Sequence, residues 1–425
     1  MRYLFCVFAI LGTLLAGGCA TNPVTGKTQL NLISRADEIR IGEQQYLPAR
    51  QMQGGDYVVD RQLVAYVRQV GQRLASVSDR PDLPYEFHVL DNNTPNAWAL
   101  PGGKIAINRG LLVQLQSEAE LAAVLGHEIV HAAAGHTAQA IQRGLLLQAG
   151  IAAVAASAAD ERYAGAAIGG AGIAAQLISQ KYSREAELEA DRYGMQYMKR
   201  AGYDPSAAIS LQQTFVKLFE NRRADWLEGL FASHPPSRER VEANRRTLDR
   251  LGAGGRMGSE DYQQQIARLK RDQPAYAAYQ RAEQALRDGR PEQARTLARQ
   301  AIAMEPAAPH FYGLLAALDL QAGRNREALA QATRALERNP AYFAFHLEAG
   351  IAQLRLDETA AARQSLERSN RLLPTATAHE ALGRIALSEN RQDEAIAHFR
   401  AAAGSDSPAG ARARTELQRL GVPPR

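Results

Sequence analysis

One spacing constrains the C-terminal third of this 425-residue chain more than any other feature. Ala294, Ala328 and Ala362 recur every 34 residues, Ala395 follows after 33, and Pro306, Pro340 and Pro374 keep the same period. Small residues return at matching helix positions, among them Ala301, Ala335, Gly350 and Gly383. A unit of this length holds two helices and two turns, and its small residues fall where the helices cross. A single unit cannot bury its own apolar face, so such units stack. The pattern predicts an α-solenoid over residues 275–425, with three to four repeats between about 275 and 408, against the alternative of a featureless helical bundle. Its four histidines, His310, His346, His379 and His398, show no ligand spacing. They are expected at the surface or in packing.

The period is that of tetratricopeptide repeats. Hydrophobic content of 46%, charged content of 22% and a net charge of +5 describe a folded protein with solvated helix faces. No block of basic residues stands out, so nucleic acid is not an expected partner. Both cysteines lie within the first twenty residues. Arg2 precedes the apolar run Tyr3 to Leu15, which is short for a bilayer span. The run enters Leu15-Ala16-Gly17-Gly18-Cys19, a lipobox-like sequence. Residues 1–18 are therefore expected to be a lipoprotein signal peptide and 19–37 a lipidated tether on Cys19. That places the chain in the periplasm, held to the outer membrane by its lipid. A plain cleaved signal or an uncleaved N-terminal anchor is the alternative. With lipid on Cys19, any metal would be held by His and carboxylate.

Between these ends, residues 38–251 carry the chemistry. Helical spacing runs from about Glu38 to Arg73, and then Tyr85 to Leu90 alternates as a strand does. Ala97–Leu100 and Lys104–Asn108 flank a turn at Pro101-Gly102-Gly103, so a small antiparallel β-sheet is expected. Ser117-Glu118-Ala119-Glu120 reads as a capping box opening a helix. Three turns on stands His127-Glu128-Ile129-Val130-His131. Positions i and i+4 share a helix face, so His127 and His131 can grip one ion, with Glu128 beside them as general base. With nine histidines in the chain, this pattern arises by chance in roughly one such chain in a hundred. Residues 144–178 are rich in Ala, Gly and Ile and read as an apolar helical hairpin, with membrane contact or a lid as alternatives. Downstream, Glu187 and Asp191 are again i and i+4, on a helix whose Ala190 and Gly194 permit close packing. Glu187 is then the third ligand and Asp191 a carboxylate behind a ligating histidine. The glycine-rich stretch after Leu251 suggests a linker over 252–274.

These motifs give a mainly α chain with a small sheet: a gluzincin-type zinc metallopeptidase domain followed by the solenoid. The chain resembles the bacterial periplasmic branch of the CAAX-prenyl-protease-like zinc metallopeptidases. The resemblance rests on His127–His131, on Glu187–Asp191, on His136, on Asn96 to Gly103, on Ser233-His234-Pro235 with Arg240, and on Cys19 to Gly26. It implies one zinc ion per chain on His127, His131 and Glu187, with Glu128 as base and Asp191 in support. His234 would stabilise the oxyanion or cap the zinc as a fourth ligand, and Arg240 would fix that loop on a carboxylate. Substrate is implied to add as a strand near Lys104–Asn108. The expected function is an envelope endopeptidase acting on misfolded or stalled outer-membrane proteins, its repeats docking substrate or assembly machinery. The alternative is a repeat-based chaperone or scaffold whose zinc site is latent and self-capped.

Overall fold

A computed structural model describes residues 19–144, 170–179, 181–221 and 229–423. The chain divides into two compact units, Met1–Ala49 with Gln62–Ala267, and Arg50–Arg61 with Arg268–Arg425. The lipobox before Cys19 lies outside the described residues, as does most of the expected apolar hairpin. No helix among the described residues is long and apolar enough to cross a membrane.

The first unit opens with β1 (Cys19–Thr21) and β2 (Thr28–Leu30), paired antiparallel. Residues 19–37 are thus not the bare tether their polarity suggested. Asn22 is 2% exposed, and its side chain binds Val24 N, Thr25 N and Ala134 O. Its amide closes the turn and docks the hairpin at the same time. Then follow α1 (Arg35–Met52), α2 (Arg61–Ala75), β3 (Glu86–Leu90), β4 (Ala97–Leu100) and β5 (Lys104–Asn108). The sheet order is β3-β5-β4. β4 and β5 form the expected antiparallel hairpin, but β3 runs parallel to β5, so the sheet is mixed. The hairpin turns back between β3 and β4. This makes Lys104–Asn108 the central strand, hydrogen-bonded on both sides, and leaves no edge there for a substrate strand. The edge strands are β3 and β4. Tyr46 of α1 anchors the sheet, its hydroxyl donating to Ile105 O and its ring meeting Trp98 edge-on at 5.8 Å.

Below the sheet lies α3 (Glu118–Ala133), buried along its whole length. α4 (Gly170–Ile178), the described part of the apolar hairpin, joins the sheet's core through Ala174, Leu177 and Ile178. α5 (Arg184–Arg200), α6 (Ser206–Glu220) and α7 (Arg238–Leu251) complete the bundle around α3. Residues beyond Leu251, read as a linker, pack into this unit instead. Met257 O accepts from Ala119 N at the start of α3. α8 (Ser259–Gln265) buries Tyr262, whose hydroxyl donates to Leu112 O at 2.7 Å.

The second unit is a solenoid. Its described residues form the pairs Gln273–Arg287 with Pro291–Met304, Pro309–Gln321 with Asn325–Arg338, Phe343–Arg355 with Thr359–Leu372, and Ala376–Ser388 with Gln392–Ala403. A last helix, Pro408–Arg419, follows. Ala294, Ala328, Ala362 and Ala395 are fully buried, and each of the three periodic prolines falls in the turn between pairs. The small-residue rule has a steric cause: a Cβ on Gly350 would lie 2.7 Å from Leu366, and one on Gly383 2.6 Å from Phe399. At such distances the facing side chain would have to shift, a strain of about 1–3 kcal/mol in a packed interior.

Candidate metal centre

Two capped helices carry the site. Ser117 Oγ accepts from Glu120 N and opens α3; the Glu120 carboxylate reaches back to Gln116 N, one residue before the cap. Ser183 Oγ accepts from Ala186 N and opens α5. The helices touch where glycine faces glycine. A Cβ on Gly194 would lie 3.1 Å from the Gly126 carbonyl carbon, and one on Gly126 3.2 Å from Gly194 O. That close approach sets His127 one residue past the crossing, opposite Asp191.

Four buried donors converge from three segments: His127 and His131 of α3, Glu187 of α5, and His234 before α7. One ligand atom from each lies within 4.8 Å of the others. His131 Nε2 is 3.0 Å from His127 Nε2; His234 Nδ1 is 3.2 Å from His127 Nε2 and 2.9 Å from Glu187 Oε1. Glu187 Oε1 is 3.3 Å from His131 Nε2, and Oε2 is 3.5 Å from His127 Nε2. Donors about 2.0–2.1 Å from a tetrahedral ion stand roughly 3.4 Å apart, so the set fits such an ion.

Proton accounting points the same way. Asp191 Oδ1 sits 2.9 Å from His127 Nδ1 and accepts its proton, leaving a lone pair on Nε2. His131 Nδ1 faces His136 Nδ1 at 2.9 Å, so its Nε2 is likewise turned to the cluster. Two imidazole nitrogens and a carboxylate meeting in a buried space require a positive charge, which a metal ion or, without one, a proton on His127 supplies. Burial pulls the His127 pKa down, but Glu187 and Asp191 outweigh it and hold it up, at about 10. Burial holds His131 well below the usual range. Burial pushes Glu187 up, yet the neighbouring His234 and Arg240 keep it well below the carboxylate range. For Glu128 burial wins over His234 and His127, and its pKa is raised.

Residues 61–248 match the family model described as Peptidase family M48, and residues 314–376 and 360–410 match Tetratricopeptide repeat. The mitochondrial metalloendopeptidase OMA1 of Schizosaccharomyces pombe is 32% identical over 260 residues, covering 55% of this chain and 69% of that one. The chain belongs to peptidase family M48. The beta-barrel assembly-enhancing protease of Escherichia coli K12 is 27% identical over 355 residues, 76% of this chain and 72% of its own. Metalloprotease YcaL of the same organism is 29% identical over 199 residues, 45% of this chain and 74% of its own. The chain is a metallopeptidase with a repeat domain.

Behind the donors of this M48 domain stand two supports. The first is Arg240, 5% exposed, whose Nε and Nη2 each lie 2.7 Å from an Asp191 oxygen. Its Nη1 lies 2.7 Å from Glu187 Oε2 and also donates to Pro235 O. One guanidinium therefore holds a candidate ligand, that ligand's neighbouring carboxylate and the His234 loop. All seven residues singled out from the sequence, His127, Glu128, His131, Glu187, Asp191, His234 and Arg240, meet in one place.

The second support was not read from the sequence as such. His136 Nε2 is 3.5 Å from Glu189 Oε2, and Lys27 Nζ of the N-terminal hairpin is 2.5 Å from Glu189 Oε1. His131 is thus backed by His136, then Glu189, then a lysine at the surface. His136 had only its spacing to mark it, and Glu189 looked like one more solvated acid. Tyr182 was also missed. Its ring stacks on His131 at 3.8 Å between centroids, and its hydroxyl bonds Thr137 Oγ1. Supports of this kind tune metal affinity. Glu189→Gln is expected to weaken zinc binding about tenfold and Lys27→Ala a few-fold, read by competition with a chromophoric chelator. Wild-type affinity in Glu189→Gln would show that His136 needs no such support.

Proposed function

We propose that this chain is a zinc endopeptidase of the bacterial cell envelope, with one Zn2+ per chain held by His127, His131 and Glu187. The observation that carries the reading is a buried three-imidazole, one-carboxylate cluster with a partnerless carboxylate oxygen, Glu128 Oε2, beside it. A nitrogen-rich set with one carboxylate suits zinc. When bound, the ion would supply a Lewis acid that acidifies water and polarises a carbonyl. Glu128 accepts the proton of the attacking water, and burial makes it a stronger base than a free carboxylate. It then delivers that proton to the leaving nitrogen. Asp191 and Arg240 hold His127 and Glu187 in register throughout.

The substrates proposed are misfolded or stalled outer-membrane proteins. The likeness to a beta-barrel assembly-enhancing protease over most of both chains supports this. The repeats would dock substrate or assembly machinery, and a lipid on Cys19 would hold the chain at the membrane. An extended substrate segment would pair with β4, the edge strand that packs on α3, once the groups that bury it, Thr137 on Ala99 O among them, give way.

One observation favours a resting state in which the site is self-capped. His234 Nδ1 points into the donor cluster, while Nε2 is buried without a hydrogen bond, 3.6 Å from Glu128 Oε1. A fourth protein donor displaces the water that a catalytic site must admit. His234→Ala is therefore expected to raise cleavage of unfolded casein several-fold, with zinc retained. A fall in rate would instead assign His234 to the oxyanion. Undetectable cleavage in both proteins, with zinc bound, would favour the scaffold reading.

A further inference from the structure

The four solenoid histidines have no ligand spacing along the chain, yet the fold brings two of them together. His379 of helix Ala376–Ser388 and His398 of helix Gln392–Ala403 are 19 residues apart, and their Nδ1 atoms face each other at 3.0 Å. The helix crossing causes the approach. A Cβ on Gly383, one turn past His379, would lie 2.6 Å from Phe399, the residue after His398. Both rings can be reached from solvent: the His398 side chain is 23% exposed, and His379 is partly exposed.

Neither ring is held charged. Burial, and then His398, keep the His379 pKa below the usual histidine value. Burial lowers His398 as well, against the pull of Glu394. Glu367 and Arg363 of helix Thr359–Leu372 also face His398, and Arg363 is already bound by Glu394 and Glu389. Two neutral imidazoles therefore stand side by side at neutral pH, with carboxylates around them and no proton to displace. Two such donors are too few to close a zinc site, which takes three or four from the protein. Copper(II) tops the affinity order for nitrogen donors and takes tetragonal positions at right angles. Ligands roughly 2.0–2.1 Å from an ion then stand about 2.9 Å apart, close to the separation found here.

We propose that His379 and His398 form a second metal site, selective for copper(II), that ties together the two helices of the fourth solenoid pair. Both rings bind through Nδ1, with water in the remaining positions. Each then carries its proton on Nε2. On His398 that nitrogen faces Glu394 Oε1 at 3.9 Å, a carboxylate placed to favour this tautomer. The site lies in the solenoid unit and does not depend on the endopeptidase reading.

The test adds one equivalent of Cu2+ to zinc-loaded full-length protein at neutral pH. One copper per chain is expected to stay bound through gel filtration with the zinc still in place, both read by elemental analysis. Its electron paramagnetic resonance spectrum should be tetragonal, with coupling to two imidazole nitrogens. His379→Asn and His398→Gln should each keep their zinc and weaken copper binding by roughly tenfold or more. His346→Gln, elsewhere in the solenoid, should bind copper as the wild type does. Added copper should raise the melting midpoint of the wild type and leave those of the two pair variants unchanged. Copper that is not retained, that displaces zinc one for one, or that binds both pair variants as tightly as the wild type overturns the proposal. So does a spectrum without nitrogen coupling, or Zn2+ binding to the pair as tightly as Cu2+.

Discussion

Glu128→Gln is expected to keep its zinc and to lose peptide-bond cleavage by about a thousandfold. Glutamine has the same shape but cannot accept the proton of the attacking water, and nothing in the donor set is removed. Zinc per chain by mass spectrometry and initial rates on unfolded casein check the two halves separately. Burial already disfavours the ionised form of Glu128, so a neutral amide there should melt no lower than wild type. Full activity in this variant would sink the mechanism. Loss of zinc together with activity would mean that Glu128 serves the donors and not the water.

Arg240→Met should do more damage to the fold than any change to the donors themselves. The guanidinium pairs with Asp191 through two atoms and with Glu187 through a third, all in a buried space. Removing it leaves two buried carboxylates with only the His127 imidazole to balance them, which costs about 3–5 kcal/mol. For a unit of this size that lowers the melting midpoint of metal-free protein by roughly 10 °C. Zinc affinity should fall by about 10–100-fold, because Asp191 orients His127. Added zinc supplies part of the missing positive charge, so the stability gap should narrow in its presence. Arg240→Lys keeps the charge and loses the fork, and should recover only part of the loss. A midpoint within about 2 °C of wild type and unchanged affinity would show that the ion pairs contribute little.

Most of the site was legible because its logic is local. His127 with His131, and Glu187 with Asp191, are each fixed by one helical turn, and Gly126 and Gly194 are small where the helices must touch. His234 and Arg240 came only from resemblance, since no periodicity links a loop histidine to a glutamate 47 residues before it and a histidine 107 before it. The solenoid was legible for the same reason as the motif helices: its register repeats. What the sequence did not disclose depends on partners distant in the chain. Strand order is one case. β4 and β5 read as a hairpin, but nothing local says that β3 lies on the far side of β5 and runs parallel to it. The docked hairpin is another. Asn22 looks like a turn residue until its amide is found on Ala134 O. The segment after Leu251 is glycine-rich, as a linker would be, yet Tyr262 is fully buried.

The hairpin bears on how far the catalytic domain can reach. A free leash of the 19 residues between Cys19 and Asp37 would let a tethered domain roam about 24 Å from its anchor. Here β1 begins at Cys19 itself and is pinned to the end of α3 within three residues. A lipid on Cys19, as proposed, would join the anchor to the folded body with almost no slack. An enzyme so held would meet chains that linger at the bilayer surface, which would confine its action by distance as well as by chemistry.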